Sequence, residues 1–275
     1  MPPTGPFDPE AVREFERAGW NRAAAAYETS FATASRQFIE PLLDAAAVGA
    51  GDRVLDLCCG PGFAGGAALD RGARVAGLDF SPAMLKEAKA RFPAIASRHG
   101  DAESPPFDDE SFDAVISNFG IHHVPRPALA LAGAHRVLRR GGRFAFSVWA
   151  APERNIAWKL VFDAVGRYGD PRASTAPPPG GGFATEADCL RALDAVGFSR
   201  IEARLAKGHW KHRDGAALLA ALRAGTARMA ALIDAQSPAA MEEVVAGVDA
   251  AAAPWRKDGG IAVPIACIVA SGIRP

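Results

Sequence analysis

The stretch that decides the fold reads Arg53-Val-Leu-Asp-Leu-Cys-Cys-Gly-Pro-Gly62. A short apolar run that ends in a glycine-rich turn predicts a buried strand, and the small residues after the turn predict a helix to about Leu69. The unit recurs as Arg74-Val-Ala-Gly-Leu-Asp79 followed by Ser81-Pro82, in which serine suits the N-cap and proline the first helical turn. Strand, turn and helix in this order predict parallel β-α-β units, with a ligand site at the carboxyl ends of the strands.

The same alternation extends outward along the chain. Further strands are predicted at Ala96–His99, Phe112–Ser117, Arg143–Trp149, about Ser199–Ala206 and Ile261–Ser271. Helices are predicted as two or three segments within 10–48, from Ser81-Pro82 to about Arg91, and over Pro127–Leu138, where the Gly141-Gly142 pair is expected to end the helix. Further helices are predicted over 153–168, 185–196 and 215–252, and Ser237-Pro238 is expected to open a second segment within the last of these. The pattern predicts an α/β fold with a doubly wound, seven-stranded, mostly parallel sheet and one antiparallel strand at its edge.

Three regions follow from this pattern. We expect an N-terminal helical cap at 1–48, a Rossmann-like core at 49–150, and a C-terminal part of the same domain at 151–275 with a helical insertion before the last strand. The alanine-rich helices at 215–252 are either a lid over a substrate pocket or a packing and dimer surface. A loose tail is expected at the proline-rich start, and a loop from Pro171 to Gly182.

Composition limits the partners. The chain has 275 residues, with 31 basic and 31 acidic side chains in no long block of either sign, so neither nucleic acid nor an anionic membrane is expected as a partner. Cys58, Cys59, Cys189 and Cys267 have no metal-ligand spacing, so no metal site is expected. The start lacks the pattern of a secretory signal, and Gly260–Ile273 is too short to span a membrane. We expect a cytoplasmic monomer or homodimer that binds a small molecule.

The candidate site lies at the strand ends. Gly60-Pro-Gly62-Phe-Ala-Gly65 satisfies the G-x-G-x-x-G pattern, and Asp79 follows Gly60 by nineteen residues, where an acid can accept hydrogen bonds from ribose hydroxyls. This pattern alone also fits an NAD site. Asp56 would repel a pyrophosphate but suits a cationic ligand. Asp101, directly after the third strand, can accept a hydrogen bond from an adenine amino group. The ligand predicted from these acids is a nucleoside that carries positive charge.

The chain resembles the class I methyltransferases, and especially the branch that includes the ubiquinone and menaquinone biosynthesis methyltransferases. The resemblance is carried by Val54-Leu-Asp-Leu-Cys-Cys-Gly-Pro-Gly62, Leu78-Asp-Phe-Ser-Pro-Ala-Met84, Gly100-Asp-Ala-Glu103, Phe112-Asp-Ala-Val-Ile-Ser-Asn-Phe-Gly-Ile-His-His123 and Arg136-Val-Leu-Arg-Arg-Gly-Gly142, in that order. It departs at Cys58, where the family has a glycine or another small residue, and it fades beyond about Trp149. It implies S-adenosylmethionine as cofactor and S-adenosylhomocysteine as product.

The resemblance also implies roles for single residues. Gly60, Pro61 and Gly62 would pass beside the methionine part, Asp79 would bind the ribose, Phe80 and Met84 would flank the adenine, and Asp101 and Ala102 would meet its edge. Asn118 would face the cofactor near its sulfonium. Trp20-Asn-Arg-Ala-Ala-Ala-Ala-Tyr27 is similar to the segment that closes over the cofactor, with Tyr27 near its carboxylate.

Catalytic residues are less well indicated. His122 and His123 follow the fourth strand beside the expected transfer point, where histidine can accept a proton, but loop histidines that pack or cap give the same pattern. His209 and His212, near Trp210, are alternative pocket residues. The predicted function is methylation of an oxygen, nitrogen or carbon of a small molecule. The alternatives are an NAD-dependent oxidoreductase and a catalytically silent cofactor-binding protein. The sequence leaves the acceptor open.

Overall fold

The computed structural model describes residues 7–174, 176 and 182–275, and the expected loose tail and the 171–182 loop lie partly outside them. The strands of the sheet are β1 Arg53–Leu57, β2 Arg74–Asp79, β3 Ala96–His99, β4 Phe112–Asn118, β5 Leu138–Trp149, β6 Ser199–His212, β7 Arg256–Lys257 and β8 Gly260–Ile273. Their order is β3-β2-β1-β4-β5-β8-β6, and the two-residue β7 pairs with β8. The mostly parallel, doubly wound sheet is confirmed.

The antiparallel strand does not lie where the sequence places it. Strand β8 runs antiparallel to both β5 and β6, and β6 forms the edge beyond it. The expectation of an antiparallel edge strand is therefore wrong by one position. Strand β6 is also longer than predicted, because its pairing with β8 continues to His212 opposite Ile261.

Helices cover both faces of the sheet. They are α1 Pro9–Tyr27, α2 Ala32–Ser35, α3 Ile39–Ala45, α4 Phe63–Asp70, α5 Pro82–Arg91, α6 Pro127–Val137, α7 Ile156–Tyr168, α8 Glu186–Ala195, α9 Gly215–Gly225, α10 Arg228–Asp234 and α11 Pro238–Ala251. The Ser81 hydroxyl accepts from the Met84 N–H at 3.1 Å, as expected of an N-cap. The region 215–252 contains one more break than predicted, because the chain is extended at Thr226.

The Gly141-Gly142 pair does not end helix α6. The helix ends at Val137, and the buried Leu138 is already extended and pairs with Phe112 of β4. The register then shifts before Ala114 pairs with Arg143, and Gly141 adopts a positive φ of 75° within this irregular stretch. The predicted role of the glycine pair is wrong because burial of Leu138 starts the strand earlier.

The sheet is buried on both faces. Alternate residues of β8 belong to different core clusters, with Val263, Ile265 and Cys267 on one face and Ala266 and Ile268 on the other. Helices α3, α4, α7, α9, α10 and α11 cover the first face, and α6 and α8 cover the second. Within the described part of the chain, no single helix is long and apolar enough to cross a membrane, and α9 and α10, which together reach that length, bend by 119° at the break between them.

Candidate cofactor site

A cavity of about 900 Å³, counted with its open mouth, lies at the carboxyl ends of β1, β2 and β4. Helix α1 contributes Arg13, Trp20 and Tyr27 to its wall. Most of the predicted site residues line this cavity: Tyr27, Asp56, Gly60, Pro61, Asp79, Phe80, Met84, Asp101, Ala102, Asn118 and His123. Gly62 and His122 do not line it. The fold therefore brings together residues from five separate stretches of sequence at one place.

Asp79 fixes the glycine-rich turn from the end of the neighbouring strand. One of its carboxylate oxygens accepts the Gly60 N–H at 2.8 Å, and the other accepts the Ser81 N–H at 2.8 Å. Burial raises the pKa of Asp79 to about 6, although these backbone donors and His99 lower it. Asp79 thus joins the two β-α turns that line the cavity.

Asp56 is a buried carboxylate with one unused oxygen. Its side chain is fully buried, and its Oδ2 accepts the Gly65 N–H at 2.8 Å. Its Oδ1 has no hydrogen-bond partner among the described residues. Burial, together with the nearby Asp79, raises the pKa of Asp56 to about 7, although the Gly65 N–H lowers it. A cation in the cavity would satisfy the free oxygen and favour the ionised form.

The structure accommodates the unusual Cys58. This residue adopts a positive φ of 61°, which glycine adopts more readily than other residues. Its side chain occupies space beside Gly120, where an added Cβ would lie 2.3 Å from the Cβ of Cys58. Gly120 therefore provides the room for the Cys58 side chain. Burial raises the pKa of the Cys58 thiol well above its ordinary value, so it stays neutral.

Helix α1 adds Arg13, which the sequence analysis did not single out. The Arg13 Nε lies 3.0 Å from Asp101 Oδ2, and an Arg13 terminal nitrogen lies 2.9 Å from Glu103. Arg13, Trp20 and Tyr27 follow each other at intervals of seven residues, which places them on one face of a helix. That spacing was the signal in the sequence that could have identified this wall of the cavity.

Two predicted residues are held by hydrogen bonds at the cavity wall. The Asn118 Oδ1 accepts from the Ser147 hydroxyl at 2.8 Å, and its Nδ2 donates to the Ser35 carbonyl at 3.3 Å. The Tyr27 hydroxyl lies 3.1 Å from the Ser35 hydroxyl, and burial raises the pKa of Tyr27 to about 12. Both side chains are therefore oriented before any ligand binds.

The histidines separate into two groups. His123 lines the cavity from the one-turn helix Ile121–His123, whereas His122 beside it does not. Burial lowers the pKa of His122 well below its ordinary value, so that ring is neutral. Neither His209 nor His212 lines the cavity. Of the sequence candidates for proton transfer, His123 is the one that the cavity can reach.

These features define an α/β protein with a candidate cofactor site at the carboxyl ends of its parallel strands. Residues 55–146 match the model of the methyltransferase domain family. The chain is 40% identical over 118 residues to a demethylmenaquinone methyltransferase of Renibacterium salmoninarum, an alignment that covers 43% of this chain and 50% of that one. This chain thus spans half the length of that relative.

Solved structures agree on the fold over nearly the whole chain. An S-adenosylmethionine-dependent methyltransferase of Thermotoga maritima superposes with a TM-score of 0.57 at 16% identity, covering 94% of this chain and 100% of that one. The [4+2]-cyclase SpnF superposes with the same TM-score of 0.57 at 16% identity, covering 99% of each chain. Over residues 55–146 the chain is thus similar to the methyltransferase domain family, and over the rest of its length the solved structures support the fold.

Proposed function

We propose that this protein transfers a methyl group from S-adenosylmethionine to a small-molecule acceptor. The observation that carries the proposal is the pair of buried carboxylates, Asp56 and Asp79, on one cavity wall beside the glycine-rich turn. An adenosyl cofactor with an ammonium and a sulfonium matches this wall in charge. The pyrophosphate of NAD would place negative charge beside Asp56, which opposes the oxidoreductase alternative.

The residues present fit this cofactor. The unpartnered Oδ1 of Asp56 suits the ammonium, Asp79 suits the ribose hydroxyls, and Asp101 suits the adenine amino group. Phe80 and Met84 offer apolar surfaces for the adenine. S-adenosylmethionine supplies a methyl group already activated by a sulfonium. The chain's own residues then bind and orient the acceptor, exclude water, and take up a proton where the acceptor must lose one.

The cavity wall supports a small, apolar acceptor. Tyr27, Phe63 and Phe119 line it, and the Phe119 ring stacks on Trp149 with centroids 3.9 Å apart. Arg13 is the one arginine or lysine among the described lining residues, and it faces Asp101 and Glu103. Such a wall offers little attraction to a nucleic acid backbone. Demethylmenaquinone, which the name of the Renibacterium relative contains, therefore belongs in an acceptor screen beside simple phenols and amines.

The first prediction concerns the cofactor. S-adenosylmethionine and S-adenosylhomocysteine are each expected to raise the unfolding temperature, because a ligand at a hundred times its dissociation constant stabilises the folded state by about 2.7 kcal/mol. Thermal unfolding with each ligand, with NADH and without ligand checks this. A rise with NADH alone would replace this proposal with the oxidoreductase. Binding of S-adenosylhomocysteine without turnover of any acceptor would favour the catalytically silent protein.

The second prediction concerns pH. The free protein carries Asp56 with a pKa of about 7 and Asp79 with a pKa of about 6, so both take up protons as the pH falls toward about 5. A ligand with an ammonium binds the ionised carboxylates better. The affinity for S-adenosylhomocysteine is therefore expected to rise with pH and to level off above about pH 8, as calorimetric titration would measure. A flat profile would contradict the contact with these carboxylates.

A further inference from the structure

Helix α1, which forms one wall of the cavity through Arg13, Trp20 and Tyr27, also carries a third buried carboxylate, that of Glu16. Its side chain is fully buried. Its Oε1 pairs with the Arg228 Nε of α10 at 2.5 Å, and its Oε2 accepts from the Trp20 indole N–H at 3.1 Å. The same Oε2 lies 3.1 Å from the Nδ1 of His123. One carboxylate thus joins α1, α10 and the one-turn helix after β4.

This carboxylate is ionised although it is buried. Burial acts to raise the pKa of Glu16, but His123 and Arg228 outweigh it and hold the pKa below its ordinary value. An ionised carboxylate next to a histidine favours a proton on the nitrogen that faces it. Among the described residues, His122 also packs against His123, with ring centroids 4.2 Å apart, and Arg228 shares the Glu16 carboxylate with His123.

Contacts with Glu16 and Trp20 fix the orientation of the His123 ring relative to the cavity. Its Nδ1 is buried on the side of Glu16, and the Trp20 ring packs against it edge-on with centroids 4.9 Å apart. The Nδ1 is close to Glu16 but is not yet aligned for a hydrogen bond. Such alignment often tightens only when substrate binds. Because the two ring nitrogens lie on different edges, Nε2 is the nitrogen left for the cavity.

We propose that Glu16 is a positioning residue that holds the proton of His123 on Nδ1, so that Nε2 can take a proton from the methyl acceptor. This inference rests on the proposed function. The proton leaves the O–H or N–H of the acceptor, and the electron pair of that bond stays on the oxygen or nitrogen, which becomes the nucleophile. The proton moves to Nε2, and the imidazolium that forms lies beside the Glu16 carboxylate until it releases the proton to water.

The spacing of the two residues explains why the sequence alone does not reveal the pair. Glu16 lies on the first helix and His123 after the fourth strand, and they meet only because α1 folds back over the cavity. Arg228 comes from the region that resembles no motif of the family. Its ion pair with Glu16 connects α10, and with it the region 215–252, to helix α1, which forms one wall of the cavity.

The test is the position of the proton on His123, read by nitrogen NMR of the full chain with labelled histidine. The His123 signals are assigned among the six histidines by comparison with His123→Gln. At alkaline pH, where imidazoles are neutral, the wild-type ring is expected to carry its proton on Nδ1. In Glu16→Gln the proton is expected to move to Nε2, because the amide lacks the charge that held it. Glu14→Gln is the matched control, since Glu14 lies on the same helix but pairs with Arg17.

Each outcome bears on the proposal. A wild-type ring with its proton on Nε2 overturns it, and this result does not depend on the folding of Glu16→Gln. The same tautomer in wild type and in folded Glu16→Gln also overturns it. Titration of each variant with S-adenosylhomocysteine separates this inference from the proposed function. Intact binding with an unmoved proton removes the role of Glu16 alone, whereas no binding to wild type removes the proposed function while the tautomer still reports on the pair.

Discussion

Asp56→Asn is expected to make the ligand-free protein more stable while it weakens the binding of S-adenosylhomocysteine. The pKa of Asp56 is about 7 in the folded state against an ordinary value of 3.8, so the folded state binds its proton more tightly than the unfolded state does. The stability that this provides is present below about pH 4 and is lost as the pH rises through about 7. At about pH 8 the ionised Asp56 therefore opposes folding, and removing its charge should stabilise by about 1–3 kcal/mol.

The same substitution removes the partner proposed for the cofactor's ammonium. Breaking one side of a buried charge pair costs about 2–5 kcal/mol, which corresponds to a loss in affinity of roughly thirtyfold or more. Denaturant unfolding and calorimetric titration measure the two effects on the same samples. Asp109→Asn is the control, because Asp109 is exposed, pairs with Arg136 and lies outside the cavity. Equal affinity in Asp56→Asn and wild type would remove Asp56 from the site.

Local patterns were enough to predict the parallel half of the fold. The bounds of β2 and β3 agree with the structure, and Ser81 caps the start of α5 as predicted. In these units the apolar runs, glycine turns and caps all favour the same structure, so local chemistry determines the outcome. The errors lie where the pairing of strands that are distant in sequence determines the structure. The early start of β5 depends on Leu138 meeting Phe112, and the place of β8 depends on β6 pairing outside it.

The residues of the candidate site also divide into those that local sequence patterns predict and those that depend on tertiary packing. Asp56 and Asp79 lie at the carboxyl ends of strands, and Gly60 and Asp101 lie just after strands, so their meeting at one edge follows from the β-α-β pattern. Arg13 reaches the cavity, and Glu16 reaches His123, through tertiary packing of α1. For this packing the sequence carried the heptad spacing of Arg13, Trp20 and Tyr27 and the resemblance of the segment from Trp20 to Tyr27. The fold alone does not fix the reaction either, since a methyltransferase and a cyclase superpose on this chain equally well. The chemistry of the cavity wall must therefore carry the functional argument.

Gly19→Ala is expected to destabilise the protein although alanine is the better helix former. Gly19 lies in the middle of α1, one turn after Glu16, and an added Cβ would lie 2.5 Å from the Cβ of Ala227. Ala227 is buried and immediately precedes Arg228, so relief of this clash must move α1 away from α10. The movement would stretch the ion pair between Glu16 and Arg228. Overpacking of this kind costs about 1–3 kcal/mol, and a weakened buried ion pair adds to that cost.

Gly166→Ala is expected to change the free energy of unfolding in the opposite direction within the same chain. Gly166 lies inside α7, is exposed, and has nothing within 4 Å of an added Cβ. Alanine there should stabilise by about 0.5–1 kcal/mol, because it gains helix propensity without a clash. Denaturant unfolding of the two variants should therefore give changes of opposite sign. If both variants gained stability, the close contact between α1 and α10 would not constrain the protein. If Gly19→Ala alone were less stable and also no longer showed the wild-type tautomer of His123, the packing of α1 against α10 would be what positions Glu16 beside His123.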